Sequence, residues 1–179
     1  MLKTLVLFLF MLNLGFSQTS SSLSTTNSLI DRVHIDKDNL HTLNFNIYAF
    51  VNNIETIEKK LMSGVDEYLG TPYRYGGMSK SGIDCSAFTQ SLFYLSFDIA
   101  LPRTASNQYL EGITIEKDSL RLGDLVFFHT SRRKFVGHVG IYLGDNKFVH
   151  SGRKDGVSIA SLEDSYYKNH FIGAKRILK

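Results

Sequence analysis

Cys85, His138 and His150 are the residues whose types and settings could do chemistry together. Cys85 is the only cysteine of the 179-residue chain, and it sits in Gly82-Ile83-Asp84-Cys85-Ser86-Ala87-Phe88. Just upstream is a run of turn formers and aromatics, Gly70-Thr71-Pro72-Tyr73-Arg74-Tyr75-Gly76-Gly77. That run cannot continue a helix and suits a loop covering a cleft. Phe88, Leu92 and Leu95 then recur at helical spacing, which predicts a buried helix with Cys85 in its first turn and Asp84 as its cap. Free amides and the positive dipole end at that position favour a thiolate and lower the thiol pKa. A cysteine presented this way is a candidate nucleophile, and a nucleophile needs a base.

The base is sought in Gly137-His138-Val139-Gly140-Ile141-Tyr142-Leu143. A strand here turns His138, Gly140 and Tyr142 to one face and Val139, Ile141 and Leu143 to the other. A three-residue loop, Gly144-Asp145-Asn146, with Asn146 left-handed, pairs Leu143 with Lys147 and Gly140 with His150. His138 and His150 then share a face as diagonal neighbours, whereas a two- or four-residue loop would separate them. Gly140 is expected to leave room for a helix end. In this arrangement His138 takes the proton of Cys85, and His150 accepts from the other ring nitrogen and fixes the tautomer. The logic is that of Ser-His-Asp, with a softer nucleophile and a neutral third member.

Each residue alone has a blander reading, because a lone Cys is often a small buried hydrophobe and a strand His is often structural. Their joint placement favours the catalytic one. A zinc site of Cys85, His138 and His150, with His129 nearby in sequence, is the rival. Structural zinc draws on close pairs such as C-x-x-C, and the chain has none, so neither a metal nor another cofactor is expected.

The elements that must hold these residues follow from periodicity. Ile54, Ile57, Leu61, Val65 and Tyr68 or Leu69 form one apolar helical face, stopped by Gly70 and Pro72. In Leu101 to Tyr109, Pro102 restricts the start and Thr104 can cap a short helix. Asp124–Phe128, His138–Leu143, Lys147–His150, Val157–Ala160 and Phe171–Ile177 read as strands joined by tight turns, hence an antiparallel sheet. Helices first and strands second make an α+β domain. Gly123-Asp124 reads as the turn launching a strand, Arg132-Arg133-Lys134 as a solvated loop tip, and Tyr166 and Tyr167 as core packing.

An apolar fraction of 43% suffices for a core, and a formal charge of +3 without a basic block argues against nucleic-acid binding. Met1-Leu2-Lys3 followed by the apolar run Leu5 to Leu14 and Gly15-Phe16-Ser17 reads as a signal peptide over residues 1–17, cleaved after Ser17. No Cys follows that run to take a lipid, and no integral span is expected in the mature chain. Residues 18–30 are a Ser/Thr-rich tether, 31–53 an extension without a clean period or an assigned role, and 54–179 the catalytic domain.

Gly70 to Tyr94, Leu101 to Gln108, Leu122-Gly123-Asp124-Leu125-Val126-Phe127-Phe128 and Gly137 to Ser151 resemble the successive motifs of the NlpC/P60 family of cell-wall cysteine peptidases. The single-domain layout is most similar to the Spr/MepS-type murein endopeptidases. The resemblance covers about two thirds of the chain. It implies a papain-like fold, the nucleophile helix packed on an antiparallel sheet. It further implies Cys85 as nucleophile, His138 as base and His150 as the orienting residue, with Tyr73 helping the Cys85 amide at the oxyanion. Asp84, Ser86 and Arg103 match positions around the family's cleft: Ser86 as a substrate contact, Arg103 either binding a carboxylate or bracing Asp84. Many members have Gly where this chain has Ala87, which bears on substrate fit.

The expected function is hydrolysis, through a thioester, of an amide bond in peptidoglycan stem peptides or their D-alanyl-diaminopimelate cross-link, after export to the periplasm or cell envelope. Alternatives are cleavage between γ-D-glutamate and the diamino acid, amidase or acyltransferase chemistry at the same site, or a non-catalytic wall-binding protein. The expected partner is the stem peptide and the expected state a monomer. An adaptor or a protease restraining the activity is compatible with the sequence but unmarked in it.

Overall fold

The computed structural model describes residues 37–130 and 135–178, with side chains from residue 45 onward. The expected signal peptide, the tether, residues 31–36 and the Arg132-Arg133-Lys134 cluster lie outside the described residues. The chain divides into two units, Met1–Ala49 and Phe50–Lys179. What is described of the first is helical, with Phe45, Ile47 and Tyr48 exposed. The second carries the sheet and every candidate residue.

Helix α1 is Lys37–Tyr68, so it begins well before Ile54, where the apolar period becomes clean. Neither Gly nor Pro interrupts residues 37–63, so no helix breaker separates the early residues from the packed ones. Phe50, Val51 and Ile54 are exposed, as is Leu69 at the other end. The packed stripe is therefore Leu61, Val65 and Tyr68, shorter than the periodicity suggested. Gly64 lies within it: a Cβ there would come within 2.2 Å of Leu92 Cδ1, so its absence lets the next long helix cross closely. Ser96 Oγ donates to the Lys60 carbonyl at the same crossing (3.2 Å).

That helix, α2, is Cys85–Phe97. Asp84 caps it in an extended conformation, its carboxylate accepting from the Ala87 amide (2.8 Å), as the sequence predicts. Phe88, Leu92 and Phe93 are fully buried, whereas Leu95 is exposed: the side of α2 turned to α1 is Leu92 and Ser96. The short helix α3, Ala105–Gln108, is capped by Thr104, whose hydroxyl accepts from the Asn107 amide.

The main sheet comprises β3 (Ile113–Ile115), β4 (Leu125–Phe128), β5 (His138–Gly144), β6 (Lys147–Gly152), β7 (Gly156–Ser161) and β8 (Phe171–Arg176). Their order is β3-β8-β4-β5-β6-β7, every neighbouring pair antiparallel. A two-stranded ribbon, β1 (Met78–Ser79) with β2 (Gly82–Ile83), precedes α2. The five long strands match the sequence reading. The short strands β1, β2 and β3 offer too few residues to show a period.

Alternation gives the sheet two cores. Leu125, Phe127, Val139, Ile141 and Val149 join Leu61, Val65, Phe88 and Leu92 on the side of α1 and α2. Val126, Phe128, Tyr142, Phe148 and Leu162 form the second, closed by Tyr167 and Phe171. Tyr167 belongs to α4, Ser165–His170, a six-residue helix too short to show a period in the sequence.

The β5–β6 hairpin corrects the expected loop. Asp145 and Asn146, both at positive φ (49° and 57°), form a two-residue turn closed by Gly144 opposite Lys147. A bulge between Tyr142 and Gly144 takes up one residue, so Tyr142 still pairs with Phe148 and Ile141 with Val149. The bulge thus restores the face that the shorter turn would have lost. Gly140 also serves otherwise than expected: a Cβ there would lie 2.6 Å from Phe148 Cδ2, so the cross-strand ring, not a helix end, fills its space.

Candidate active site

Asp84 is the knot on one side of the site. Its residue is only 8% exposed, and its two oxygens take five donors. Oδ1 accepts from the Ala87 amide (2.8 Å), Arg103 (3.0 Å) and the Ser86 hydroxyl (3.2 Å). Oδ2 accepts from Arg103 (2.7 Å) and the Gly76 amide (3.1 Å). Burial opposes ionisation, but Arg103, the Ala87 amide and Ser86 outweigh it and hold the carboxyl below its ordinary value. Arg103 also donates to Ser86 Oγ (3.1 Å). Of the two readings of Arg103, bracing Asp84 is the geometry present, and the Ser86 hydroxyl is engaged within the protein.

Gln108, which the sequence did not single out, anchors the same corner. Fully buried, it accepts from Thr89 (2.8 Å) and donates to the carbonyls of Ser86 (3.0 Å) and Pro102 (2.8 Å). Its only sequence trace is a polar residue at the end of a capped four-residue helix, which does not reveal such burial.

The Gly-rich loop is held against this knot by backbone bonds. Ile83 donates to Pro72 (3.0 Å), Arg74 to Ile83 (3.2 Å) and Asp84 to Gly77 (3.1 Å), and Tyr73 bridges Ile83. Tyr73, half-buried just upstream of the nucleophile helix, has a phenol raised above its ordinary value by burial, with Arg153 pulling the other way and Cys85 adding to the rise. It therefore stays a proton donor at neutral pH. Ser151 Oγ, fully buried, donates to the Ile83 carbonyl (2.8 Å) and ties β6 to the same segment.

Cys85 is 8% exposed at the start of α2. It lies in the same buried cluster as Val139, the residue after His138. Burial pushes the thiol up to about 11, while the amides of Val139, Ser86 and Cys85 itself pull it back and the Asp84 charge raises it further. The amides at the helix start thus act as expected, but burial outweighs them and the resting thiol is protonated.

On the sheet side, His138 Nε2 and His150 Nδ1 are 2.8 Å apart, with the rings nearly perpendicular at 87°. Burial, then the neighbouring ring, lowers His138 to about 3. Burial likewise lowers His150 to about 4, against the charge of Asp155. Both rings are neutral at pH 7, and Nδ1 of His138 is the nitrogen left for a further partner. The second nitrogen of His150, Nε2, meets the Tyr167 hydroxyl at 3.2 Å. Tyr167 therefore does more than pack, whereas Tyr166 is 52% exposed and stacks on His170 rather than on a core. His129 bonds the Phe135 carbonyl (2.9 Å).

Residues 70–176 match the NlpC/P60 family model. The chain is 43% identical over 121 residues to the probable endopeptidase NlpC homolog of Haemophilus influenzae, covering 68% of this chain and 63% of that one. It is 40% identical over 129 residues to the murein DD-endopeptidase MepS/murein LD-carboxypeptidase of Escherichia coli, covering 72% and 66%. The chain thus spans slightly under two thirds of the length of these two relatives. Among solved structures, an NLP/P60 family protein similar to lipoprotein from Staphylococcus aureus superposes with a TM-score of 0.64 at 36% identity, covering 70% of this chain and 42% of that one. The NlpC/p60 domain of the peptidoglycan hydrolase SagA gives 0.58 at 26%, covering 67% and 98%. With its α+β fold and the matched segment running from the Gly-rich loop to β8, the chain belongs to the NlpC/P60 family.

Proposed function

We propose that this chain is a peptidoglycan endopeptidase working through Cys85, His138 and His150. The observation that carries the reading is the 2.8 Å contact between His138 Nε2 and His150 Nδ1, at the start of the strand against which the helix headed by Cys85 packs. His138 acts as a base through Nδ1, so its own proton resides on Nε2 and is donated to His150 Nδ1. The Cys85 proton passes to His138 Nδ1 as Sγ bonds the scissile carbonyl carbon. The Cys85 amide and the Tyr73 hydroxyl bind the resulting oxyanion, a contribution of about 3 kcal/mol per donor in comparable sites. The carbon–nitrogen bond breaks, the leaving amine takes the proton from His138, and a thioester remains. Water, deprotonated by the same ring, then hydrolyses it.

Asp84, Ser86 and Arg103 hydrogen-bond one another and hold the loop and the helix start in register. No cofactor enters the scheme. The substrate is the stem peptide of peptidoglycan, and the murein DD-endopeptidase relative supports the D-alanyl-diaminopimelate cross-link as the bond cut. Export by a signal peptide over residues 1–17 to the periplasm or envelope suits that substrate. Among the described residues, no helix is long and apolar enough to cross a membrane.

The test is digestion of purified peptidoglycan by the chain from Gln18 onward beside Cys85→Ala, with released muropeptides separated and weighed. Conversion of cross-linked dimers to monomers only when Cys85 is present is the expected result. Shortened stems with intact cross-links would move the bond to the γ-D-glutamyl linkage. An acyl product transferred without wall cleavage, or wall binding without release, would replace the reading.

A further inference from the structure

We propose that Tyr167 is a positioning residue for the catalytic pair, holding the His150 ring so that Nδ1 faces His138. The inference rests on the Cys85, His138 and His150 reading above. Its physical basis is a count of polar atoms. His150 has two ring nitrogens and is 4% exposed, so water has little access to either. Nδ1 is taken by His138 (2.8 Å) and Nε2 by the Tyr167 hydroxyl (3.2 Å). When His138 accepts the thiol proton it carries hydrogen on both nitrogens, so its Nε2–H must donate to His150 Nδ1. His150 then has its own hydrogen on Nε2, and the Tyr167 oxygen accepts it. The hydroxyl thus completes the chain in the charged state that the reaction passes through, where an unpaired N–H would be most costly.

The ring of Tyr167 is fixed independently of that bond. Its centroid lies 4.9 Å from Phe148 at 83°, 5.3 Å from Phe128 at 63° and 5.4 Å from His150 at 74°. Edge contacts of this kind keep an aromatic ring in place without its hydroxyl. Tyr167→Phe therefore removes the acceptor and leaves the packing, which separates a positioning role from a structural one.

The experiment combines kinetics with imidazole nitrogen NMR on the chain from Gln18 onward. Tyr167→Phe is expected to lower kcat about tenfold at unchanged KM, with only a small drop in melting temperature because the packing of the ring is kept. In a His150→Ala background the same change is expected to have no further effect, because the ring through which Tyr167 acts is gone. Nitrogen spectra of the parent are expected to show His150 protonated on Nε2, and those of Tyr167→Phe a mixture of tautomers. Parent kinetics in Tyr167→Phe with an unaltered His150 signal would overturn the proposal. So would an equal loss in the His150→Ala background. A parent chain without Cys85-dependent activity would overturn the peptidase reading instead, and the His150 spectra would still decide the Tyr167 contact.

Discussion

The two sides of the site are built from opposite materials. Around Asp84 the polar groups are charged and saturated: one carboxylate takes five donors, among them a two-pronged Arg103. His138 and His150 are themselves neutral and walled by aromatics, with Phe148 5.1 Å from His150 and Phe128 6.0 Å from His138, and the charge of Asp155 does not overcome the burial of His150. The difference follows from what each side must do. The first fixes the start of α2 and the Gly-rich loop, and a charge-assisted network is stiff. In the proposed mechanism the second accepts a proton, and burial keeps its rings neutral beforehand. Charge holds the start of α2 in position, and burial keeps the two imidazoles neutral.

The largest way to break the contrast is Asp84→Ala. It removes the cap of α2 and strands Arg103, so we expect a stability loss of about 4 kcal/mol by urea denaturation. Activity should fall with the folded fraction and with the misplacement of Cys85. Next comes His150→Gln, which should cost clearly less stability at pH 7 than Asp84→Ala yet lower kcat roughly 100-fold, because the proposed base loses its orienting partner. Equal loss of stability in the two variants would erase the distinction between the sides.

Acid sharpens the comparison further. His138 and His150 have folded pKa values near 3 and 4, below the 6.5 of a free imidazole. Their contribution to stability is complete above pH 6.5 and is lost as pH falls towards those values, since the unfolded chain then binds more protons. Thermal melts from pH 7 to 4 should show a decline that His150→Gln reduces. Asp84, also depressed, contributes stability above the ordinary carboxylate pKa and loses it only as pH falls through its lower folded value. The decline between pH 6.5 and 5 thus reports the histidines alone. The smallest effect is Arg103→Lys, which keeps the charge but loses the second prong; with a side chain 33% exposed it should cost about 1 kcal/mol.

How much of this was legible in the sequence depended on how local the cause was. The Asp84 cap is a contact three residues long, and the strand alternation that puts His138 and His150 on one face repeats every second residue. Both could be read directly. The hairpin turn is not legible, because a two-residue turn plus a bulge and a three-residue loop give the same register from Tyr142 back to Ile141. The bracing role of Arg103 requires the chain from α3 to meet α2, and spacing does not encode that. Tyr167 was hidden for a related reason: its hydroxyl reaches His150 from a six-residue helix with no period of its own. The protonated thiol is not legible either, because helix position favours the thiolate, whereas the opposing burial is a property of the assembled core.

The central claim, that Cys85 attacks the peptide bond and carries the acyl group, is tested most directly by weighing the enzyme itself. The chain from Gln18 onward would be quenched in acid during turnover on cross-linked muropeptides, and its intact mass and Cys85 peptide measured. The account predicts a thioester adduct on Cys85 with the mass of the acyl donor, absent from Cys85→Ala. Cleavage that continues in Cys85→Ala, or turnover with the acyl group carried on another residue, would contradict it.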